Sequence, residues 1–516
     1  MFCLFFLYIR IAKVILFIHI TIVSRYFFQK KMLIDELSAL IAHHIGHTPT
    51  EEQSSVVAEI ARFLFSRDSD EVFLLKGYAG TGKTTLIAAL VKTLRQLQQP
   101  VVLLAPTGRA AKVFALYAEA PAFTIHRKIY RQKSFGETEN FQPAPNMHQH
   151  TLFIVDEASM IANDGLSGSM FGTGRLLDDL IQYVYSGQGC RLLLVGDTAQ
   201  LPPVGEEESP ALQAEALEGY NLRATEFTLS QVLRQTSDSG ILWNATVLRQ
   251  MMMNEDVYAF PQLRSKGFPD VIRVSGNELI DALEESYSRY GEDETIVVTR
   301  SNKRANIFNG GIRGRVLDHD AELCSGDRLM VAKNNYFWLS QNVGEAADDG
   351  VNEPNATDKL KKDAFIANGD MAVVRRLRNE RSFYGFRFID ATLRFPDYDN
   401  MELDTTLLLD TLQSEAPALT RAQQEALFQA VYEDYPDLPK RERMKKLKED
   451  IYYNALQVKY AYAVTCHKAQ GGQWQSVFID QGYVTEDMLG ADYFRWLYTA
   501  ITRATERVYL INFPEE

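Results

Sequence analysis

The stretch "GYAGTGKTT", Gly77 to Thr85, decides the fold class. It fits the pattern G-x-x-x-x-G-K-[S/T], follows the apolar run "VFLLK" and precedes the helix-forming "TLIAALVKTL". In this setting the glycines let backbone N–H groups wrap phosphates, and the helix N-terminus favours an anion. The sequence therefore predicts a nucleotide site on an α/β sheet. Its predicted phosphate-binding residues are Gly77, Gly80, Thr81, Gly82, Lys83, Thr84 and Thr85.

Two side chains of this phosphate loop (residues 77–85) have separate predicted roles. Lys83 would reach the β- and γ-phosphates, and the Thr84 hydroxyl would bind Mg²⁺. We expect the Lys83 ammonium to have no structural partner until phosphate arrives. Replacing Lys83 with alanine should therefore abolish turnover while leaving the fold largely intact.

Two further apolar runs end in polar residues that suit nucleotide hydrolysis. In "LFIVDEAS", Asp156 ends the run and can face the metal, while Glu157 can orient or deprotonate the attacking water. A nucleotide kinase would lack a hydrolytic Glu here, so the pair favours hydrolysis. In "LLLVGDTAQLPPVG", Asp197 ends the run, and Gln200 would touch the γ-phosphate and a second region together.

The spacing of apolar runs predicts the domain organisation. Short runs alternate with helical stretches from about residue 71 to 200, and a second set, "TIVVTRS", "SVFIDQG" and "RVYLINF", comes later. Such runs are typical of buried parallel strands. The region between, about 316–455, has antiparallel character, with turns expected at glycines and at Asn-Gly-Asp. One α/β domain is thus predicted to be split by a β-rich insertion, with a mobile surface loop at 341–364.

Composition narrows the class of protein. The 516 residues carry a formal net charge of −13, which argues against a generally basic nucleic-acid coat but allows a local basic channel. The four cysteines have no paired spacing, so a disulfide framework, an iron–sulfur cluster or a zinc module is not expected. We predict a cytoplasmic protein with no stable membrane partner.

The apolar start of the chain, residues 1–31, leaves three interpretations open. Arg10, Lys13 and His19 interrupt it, so it suits a weak membrane anchor, a buried or disordered extension, or upstream sequence translated from a start site set too early. Met32 then opens an ordinary amphipathic helix, "MLIDELSALIAHHI".

With these segments in this order, the sequence resembles a superfamily 1 DNA helicase of the RecD-like and Dda-like 5′→3′ group, over roughly residues 48–516. The resemblance implies two RecA-like P-loop domains, a small pin insertion in the first and an SH3-like β-rich insertion in the second. It implies the following boundaries: 32–236 for the first domain, with the pin at about 126–150; 237–315 and 456–516 for the second; and 316–455 for its insertion. A short linker is the alternative to the pin.

The same resemblance assigns nucleotide contacts outside the phosphate loop. Gln53 in "TPTEEQ" would hydrogen-bond the base, and Arg234 in "LSQVLRQ" and Arg503 in "YTAITRATERV" would reach the γ-phosphate as arginine fingers. In "VTCHKAQGGQW" (464–474), many relatives have an acidic residue after the glycine that holds the ribose. Gln473 stands there in this chain, and it can hydrogen-bond a hydroxyl without charge.

The resemblance also implies a path for DNA. Motifs "APTGRAAKVF", "FTIHRKIY" and "VTCHKAQGGQW" would contact the strand, with Lys468 and Gln470 at the domain seam. The predicted DNA-binding residues are Thr107, Arg109, Thr124, His126, Thr465, His467 and Lys468.

The predicted function is ATP- and Mg²⁺-dependent movement on single-stranded DNA. The partners considered are single-stranded DNA, duplex junctions, and repair or recombination proteins. The alternatives are a 3′→5′ helicase of the UvrD/Rep type and a P-loop ATPase that remodels protein rather than DNA.

Overall fold

The computed structural model describes residues 31–132, 141–163, 172–232, 239–339, 365–398 and 400–514. The predicted arginine finger Arg234, the predicted surface loop at 341–364 and nearly all of the apolar start lie outside these residues. The helix predicted from Met32 is present as residues 31–45. It packs through Leu37 and Ile41, which are buried.

The first domain is built on a six-stranded parallel sheet. In spatial order its strands are β3 (Ala122–Thr124), β2 (Val101–Ala105), β6 (Leu152–Val155), β7 (Arg191–Gly196), β1 (Glu71–Gly77) and β8 (Arg223–Leu229). Because β6, β7 and β1 are neighbours, their carboxyl ends bring Asp156, Asp197 and the phosphate loop to one edge. Such an edge is where ligands bind in parallel α/β sheets.

Helices cover both faces of this sheet, since its strands bury side chains on both sides. They span Glu51–Leu64, Lys83–Gln96, Gly108–Ala118, Ile125–Ile129, Leu176–Ser186 and Ala214–Glu218. In the chain between β3 and β6, strands β4 (Tyr130–Gln132) and β5 (Phe141–Pro143) pair antiparallel, at the place where the pin insertion is predicted. The segment that joins them lies outside the described residues.

The second domain has a five-stranded parallel sheet. Its order is β16 (Ala463–Thr465), β10 (Thr295–Thr299), β17 (Trp474–Asp480), β18 (Ala504–Ile511) and β9 (Val271–Val274). Its helices are Gly240–Met253, Leu279–Tyr290, Asn302–Arg315, Cys466–Ala469 and Ala491–Ile501. The strands predicted from "TIVVTRS", "SVFIDQG" and "RVYLINF" are β10, β17 and β18, as expected for continuous apolar runs.

The insertion in the second domain is a closed barrel. Its strands are β11 (Arg328–Val331), β12 (Met371–Phe383), β13 (Phe386–Phe395), β14 (Met401–Leu408) and β15 (Leu456–Tyr460). Helices Arg421–Glu433 and Lys440–Glu449 lie between β14 and β15 in the chain. β12 and β13 form a two-residue hairpin at Tyr384-Gly385, whose φ angles of 55° and 78° suit the strand twist.

The turn expected at Asn368-Gly369-Asp370 is present, directly before β12, and the Asp370 N–H donates to the Ala367 carbonyl at 3.1 Å. One detail of the insertion differs from the sequence prediction. β15 pairs parallel with β14 and closes the barrel, although we assigned its residues to the second domain. An apolar strand has the same sequence pattern in either place, so only its partners distinguish the two.

The predicted fold class is confirmed: two RecA-like domains, with an SH3-like barrel inserted in the second. Within the described part of the chain, no helix is both long and apolar enough to cross a membrane.

Candidate nucleotide site and interdomain cleft

The phosphate loop has the backbone conformation that anion binding needs. Gly80 and Gly82 have φ angles of 77° and 84°, and Gly82 is the residue before the helix Lys83–Gln96. A side chain at Gly80 would come within 2.9 Å of Leu242, so both conformation and space require glycine there. Thr81 is buried and donates its hydroxyl to the Tyr78 carbonyl, whereas Thr84 and Thr85 are exposed.

Lys83 already has structural partners, so our prediction of a free ammonium is wrong. Its Nζ donates to the carbonyls of Gly77 at 2.7 Å and Tyr78 at 2.9 Å, and lies 3.9 Å from Asp197 Oδ2. An ammonium is expensive to bury without partners, and the loop folds so that its own carbonyls supply them. Phosphate oxygens would have to compete with these contacts.

Asp156 and Glu157 are placed beside one another at the end of β6. Asp156 Oδ1 accepts the Glu157 N–H at 2.9 Å, and its Oδ2 accepts the hydroxyl of Tyr117. Burial raises the pKa of the Asp156 carboxyl, and the Tyr117 hydrogen bond opposes that rise. The Tyr117 contact was not predicted from the sequence.

Glu157 has a strained backbone and a cation from the other domain beside it. Its φ and ψ of 53° and 39° are left-handed, a conformation that costs energy for a residue other than glycine and is often found at functional sites. Arg503 Nη1 of the second domain lies 3.8 Å from Glu157 Oε1. Burial raises the pKa of Glu157, and Arg503 opposes the rise.

Arg503 is held in this position by its own domain. It is only 4% exposed, and its guanidinium donates to the carbonyls of Thr499 at 3.0 Å and Gly472 at 3.3 Å. A buried arginine fixed by carbonyls and aimed at the carboxylate of another domain suits charge stabilisation at a shared cleft.

Tyr498 makes a direct contact between the two domains. Its hydroxyl accepts the N–H of Ala79, in the phosphate loop, at 2.8 Å and donates to Asp197 Oδ2 at 2.8 Å. Tyr498 is almost fully buried. The same Asp197 oxygen faces Lys83, so one carboxylate connects the phosphate loop, the end of β7 and the second domain.

A second arginine of the second domain also touches the phosphate loop. The Arg249 guanidinium lies over the Tyr78 ring, 4.5 Å from its centroid, and donates to the Ser230 carbonyl at 3.1 Å. Arg249 follows the segment that contains Arg234, and it was not predicted from the sequence.

Two buried amides carry polar atoms that have no hydrogen-bond partner among the described residues, Gln53 Nε2 and Gln200 Oε1. Gln53 Oε1 completes a capping box with the Thr50 N–H, which leaves its amino group for another acceptor. Gln200 is 8% exposed, beside Asp197. With the glycine cradle, the exposed Thr84 hydroxyl and the Asp156 carboxylate, these atoms fit the needs of ATP and Mg²⁺.

The loop after β7 is hydrogen-bonded to the second domain. The Leu201 N–H donates to Thr499 Oγ1 at 2.8 Å, and the Leu201 carbonyl accepts Gln470 Nε2 at 2.6 Å. Gln470 therefore lies at the domain seam, where the resemblance implied it. Movement of Gln200, the predicted γ-phosphate contact, and of the second domain would be linked through this loop.

Arg109 and Thr107, expected to contact DNA, lie at the junction of the domains. The Thr107 hydroxyl caps its helix by accepting the Ala110 N–H at 3.2 Å. Arg109 Nη2 donates to the Gln473 carbonyl at 2.9 Å, and its guanidinium lies 5.0 Å from the Trp474 ring centroid. Gln473 itself has an exposed side chain, and the structure relates it to Arg109 through its backbone.

Thr124 immediately precedes the short helix Ile125–Ile129, and His126 lies within it, where the predicted pin begins. The buried Thr124 accepts the Arg127 N–H at 3.2 Å and so caps this helix. Burial lowers the pKa of His126 to about 4, so its ring is neutral near pH 7 and can form hydrogen bonds only as an uncharged group.

Thr465 and Lys468 line a small cavity between the second domain and the barrel, together with Lys459. Burial lowers the pKa values of Lys459 and Lys468 to about 8 each. Lys468 Nζ donates to Asn368 of the barrel, whereas His467 has an exposed side chain. This is the region where the described residues bring several predicted DNA-contact groups together.

His319, Cys324 and Asp327 have the composition of a metal site, but their contacts favour another explanation. Asp327 is fully buried and accepts two bonds of 2.8 Å from Arg313 and one of 3.0 Å from His319. A guanidinium already neutralises the carboxylate, so the group is a buried ion-pair network that joins helix Asn302–Arg315 to the barrel.

Two segments of the chain match known protein families. Residues 48–268 match the family described as AAA domain, and residues 460–511 match the UvrD-like helicase C-terminal domain. The chain is 33% identical over 194 residues to the ATP-dependent RecD2 DNA helicase of Deinococcus radiodurans, which covers 37% of this chain and 23% of that protein. An uncharacterized protein of Acanthamoeba polyphaga mimivirus is 21% identical over 503 residues, 86% of this chain and 96% of that one.

A solved Pif1 helicase from Bacteroides, in complex with ADP-AlF3 and ssDNA, is 16% identical with a TM-score of 0.43, covering 90% of this chain and 93% of that one. The AAA match contains the phosphate loop, Asp156 and Gln200, and the UvrD-like match contains Gln470 and Arg503. Over these segments the chain is therefore similar to an AAA domain, to a UvrD-like helicase C-terminal domain and to part of the RecD2 DNA helicase.

Proposed function

We propose that this chain hydrolyses ATP to move along single-stranded DNA in the 5′→3′ direction and to open the duplex ahead. The observation that carries the proposal is the contact of Tyr498 and Arg503, both of the second domain, with the phosphate loop and Glu157 of the first. A nucleotide in this cleft would be sensed by both domains at once. Its hydrolysis would then change how they fit together.

The charges at the cleft suit this reaction. Thr84 and Asp156 would hold Mg²⁺, Lys83 would bind the β- and γ-phosphates, and Glu157 would orient the attacking water. Arg503, with Arg234, would stabilise the transition-state charge, a contribution worth roughly 10³–10⁵ in rate for arginine fingers. Gln200 would report the γ-phosphate to the second domain through the Leu201 contacts.

Single-stranded DNA is proposed to lie over both domains and against the barrel. With a net charge of −13, attraction to phosphates must be local. Lys468 and Arg109 supply such charges, and Thr465 and His126 add uncharged hydrogen-bonding groups. They suit contacts to backbone and stacked bases, so we expect little base-sequence preference. The 5′→3′ polarity, and service in DNA repair, recombination or replication, follow from the resemblance to the RecD-like group.

The test is ATPase activity with and without single-stranded oligothymidine, together with unwinding of 5′-tailed and 3′-tailed duplexes. We expect strong stimulation by DNA and unwinding of 5′-tailed substrate. ATP turnover that ignores DNA would favour the protein-remodelling ATPase. Unwinding of 3′-tailed substrate alone would favour the UvrD/Rep type and refute the polarity.

Lys83→Ala tests the phosphate site. We expect turnover to fall by about 10²–10³ or more, as when a preorganised charge contact is removed from a transition state. A small drop in melting temperature should accompany it, because two loop carbonyls lose their donor. Lys92→Ala, on the exposed face of the same helix, is the matched control. Normal hydrolysis by Lys83→Ala would mean that the site is assigned wrongly.

A further inference from the structure

The helix Gly108–Ala118 reaches the candidate metal site at its C-terminal end. Tyr117, in its last turn, donates its hydroxyl to Asp156 Oδ2, while Asp156 Oδ1 accepts the Glu157 N–H at 2.9 Å. Each oxygen of the carboxylate is therefore hydrogen-bonded, and its orientation is set from two sides. Partners of this kind fix the direction in which a carboxylate presents its remaining lone pairs.

The Tyr117 ring is itself held in place. It stacks on Phe114, with centroids 5.1 Å apart and planes at 27°, and Phe114 is fully buried. The hydroxyl can thus move only with the helix that carries it.

The other end of this helix is contacted by the second domain. Arg109 donates to the Gln473 carbonyl, and a side chain at Gly471 would come within 2.7 Å of Ala110. Thr107, which caps the helix, lies beside the same glycine.

The barrel contacts the same end. Lys112 forms an ion pair of 2.8 Å with Asp397, and a side chain at Gly108 would come within 2.4 Å of Asp370 Oδ1. The helix is 11 residues long, about 16 Å, and is rigid on that scale. A shift of the barrel or the second domain at its start would therefore be transmitted to Tyr117.

We propose that Tyr117 is a positioning residue that aims Asp156 at Mg²⁺ and couples the metal site to the interdomain end of its helix. The inference rests on the proposed ATP and Mg²⁺ site and adds a residue that acts through Asp156 without touching the nucleotide. DNA bound at Arg109 would change the position of the helix, and Tyr117 would carry that change to the metal ligand.

The test is Tyr117→Phe, which keeps the ring on Phe114 and removes only the hydroxyl. The readout is binding of a fluorescent ADP analogue in a Mg²⁺ titration, with and without oligothymidine, so no turnover is needed. Tyr220→Phe is the matched control, because Tyr220 also donates to a carboxylate of the first domain, Asp178, away from the predicted site residues. Melting temperatures show whether each variant is folded.

We expect the half-saturating Mg²⁺ concentration of Tyr117→Phe to rise about tenfold, the size typical of losing an outer-shell hydrogen bond to a metal ligand. Nucleotide affinity without metal should stay unchanged, and Tyr220→Phe should match the native chain. Oligothymidine should lower the native midpoint and leave that of Tyr117→Phe where it is.

Three results distinguish failure of the proposed function from failure of the inference about Tyr117. If the native chain shows no Mg²⁺-dependent nucleotide binding, the proposed function itself fails. If it does, and Tyr117→Phe has the native midpoint or keeps the full response to oligothymidine, only the role of Tyr117 is overturned. If metal-free nucleotide affinity falls by the same factor as the Mg²⁺ midpoint rises, Tyr117 is merely structural and the inference is again overturned.

Discussion

Tyr498→Phe is the substitution that most directly tests whether the second domain holds the phosphate loop. The change removes one oxygen and two interdomain hydrogen bonds, one from the Ala79 N–H and one to Asp197, each 2.8 Å long. The ring itself, almost fully buried, still fills its space, so no large cavity is made. The effect should therefore be confined to the polar contact across the cleft.

The magnitude follows from the two groups left behind. An unpaired buried N–H costs about 1–3 kcal/mol, and a hydrogen bond to a carboxylate is worth about 1.5–3 kcal/mol. Asp197 keeps Lys83 at 3.9 Å, which offsets part of the second loss. We take about 2 kcal/mol as the net weakening of the closed cleft, which corresponds to about a 30-fold change in an equilibrium or a rate.

The assay is kcat/KM for ATP with saturating oligothymidine. Tyr493→Phe is the control, since Tyr493 lies on the same helix and donates at 2.7 Å to Gln481 within its own domain. We expect Tyr498→Phe to lose about 30-fold and Tyr493→Phe less than about twofold, with similar changes in melting temperature. Equal activity of the two variants would refute the argument that this contact couples the domains.

The other predictions concern pH. Because burial lowers the pKa of Lys468 to about 8, its side chain is about nine-tenths charged at pH 7 and about one-tenth charged at pH 9. The affinity for oligothymidine should therefore fall between these pH values, and Lys468→Arg should remove that fall because arginine stays charged. An identical fall in the variant would contradict the DNA contact of Lys468. Burial raises the pKa of Asp370 to about 7. The stability that its neutral form contributes is present below about pH 4 and is lost as pH rises to about 7, with a ceiling of roughly 4 kcal/mol. The melting temperature of Asp370→Asn should therefore exceed that of the native chain at pH 8, and the difference should shrink toward pH 5. A difference that stays constant with pH would contradict this role of Asp370.

The parts of the fold that could be predicted are those whose signals are local. The strands before the phosphate loop, Asp156 and Asp197 are continuous apolar runs, because parallel strands are buried on both faces. The glycine loop and its following helix carry their own conformational requirements at Gly80 and Gly82. The same local reasoning could not decide that β15 closes the barrel, since its apolar pattern suits either domain.

In the candidate site, too, the features with a local sequence signal could be predicted and the contacts between distant residues could not. The residue types at the ends of β6 and β7 were predicted, but the partners of those residues were not. Tyr117 meets Asp156 across 39 residues of sequence, and Ala79 meets Tyr498 across 419. Tyr498 stands within the quoted motif "YTAITRATERV", five residues before Arg503, so its place in that motif was the available signal. Tyr117 stands in a helix segment, "GRAAKVFALYA", whose local pattern gives no sign of its partner.

The sequence by itself determined that this protein has a phosphate loop, adjacent carboxylates and two sets of buried parallel strands, because each depends on residue types at short spacing. Only the tertiary structure decided that Lys83 is bound by its own loop, that Arg109 is held between domains, and that Tyr498 touches the phosphate loop. Those contacts join segments hundreds of residues apart or fill a buried charge's need for partners. They arise from how the domains pack, which no local pattern records.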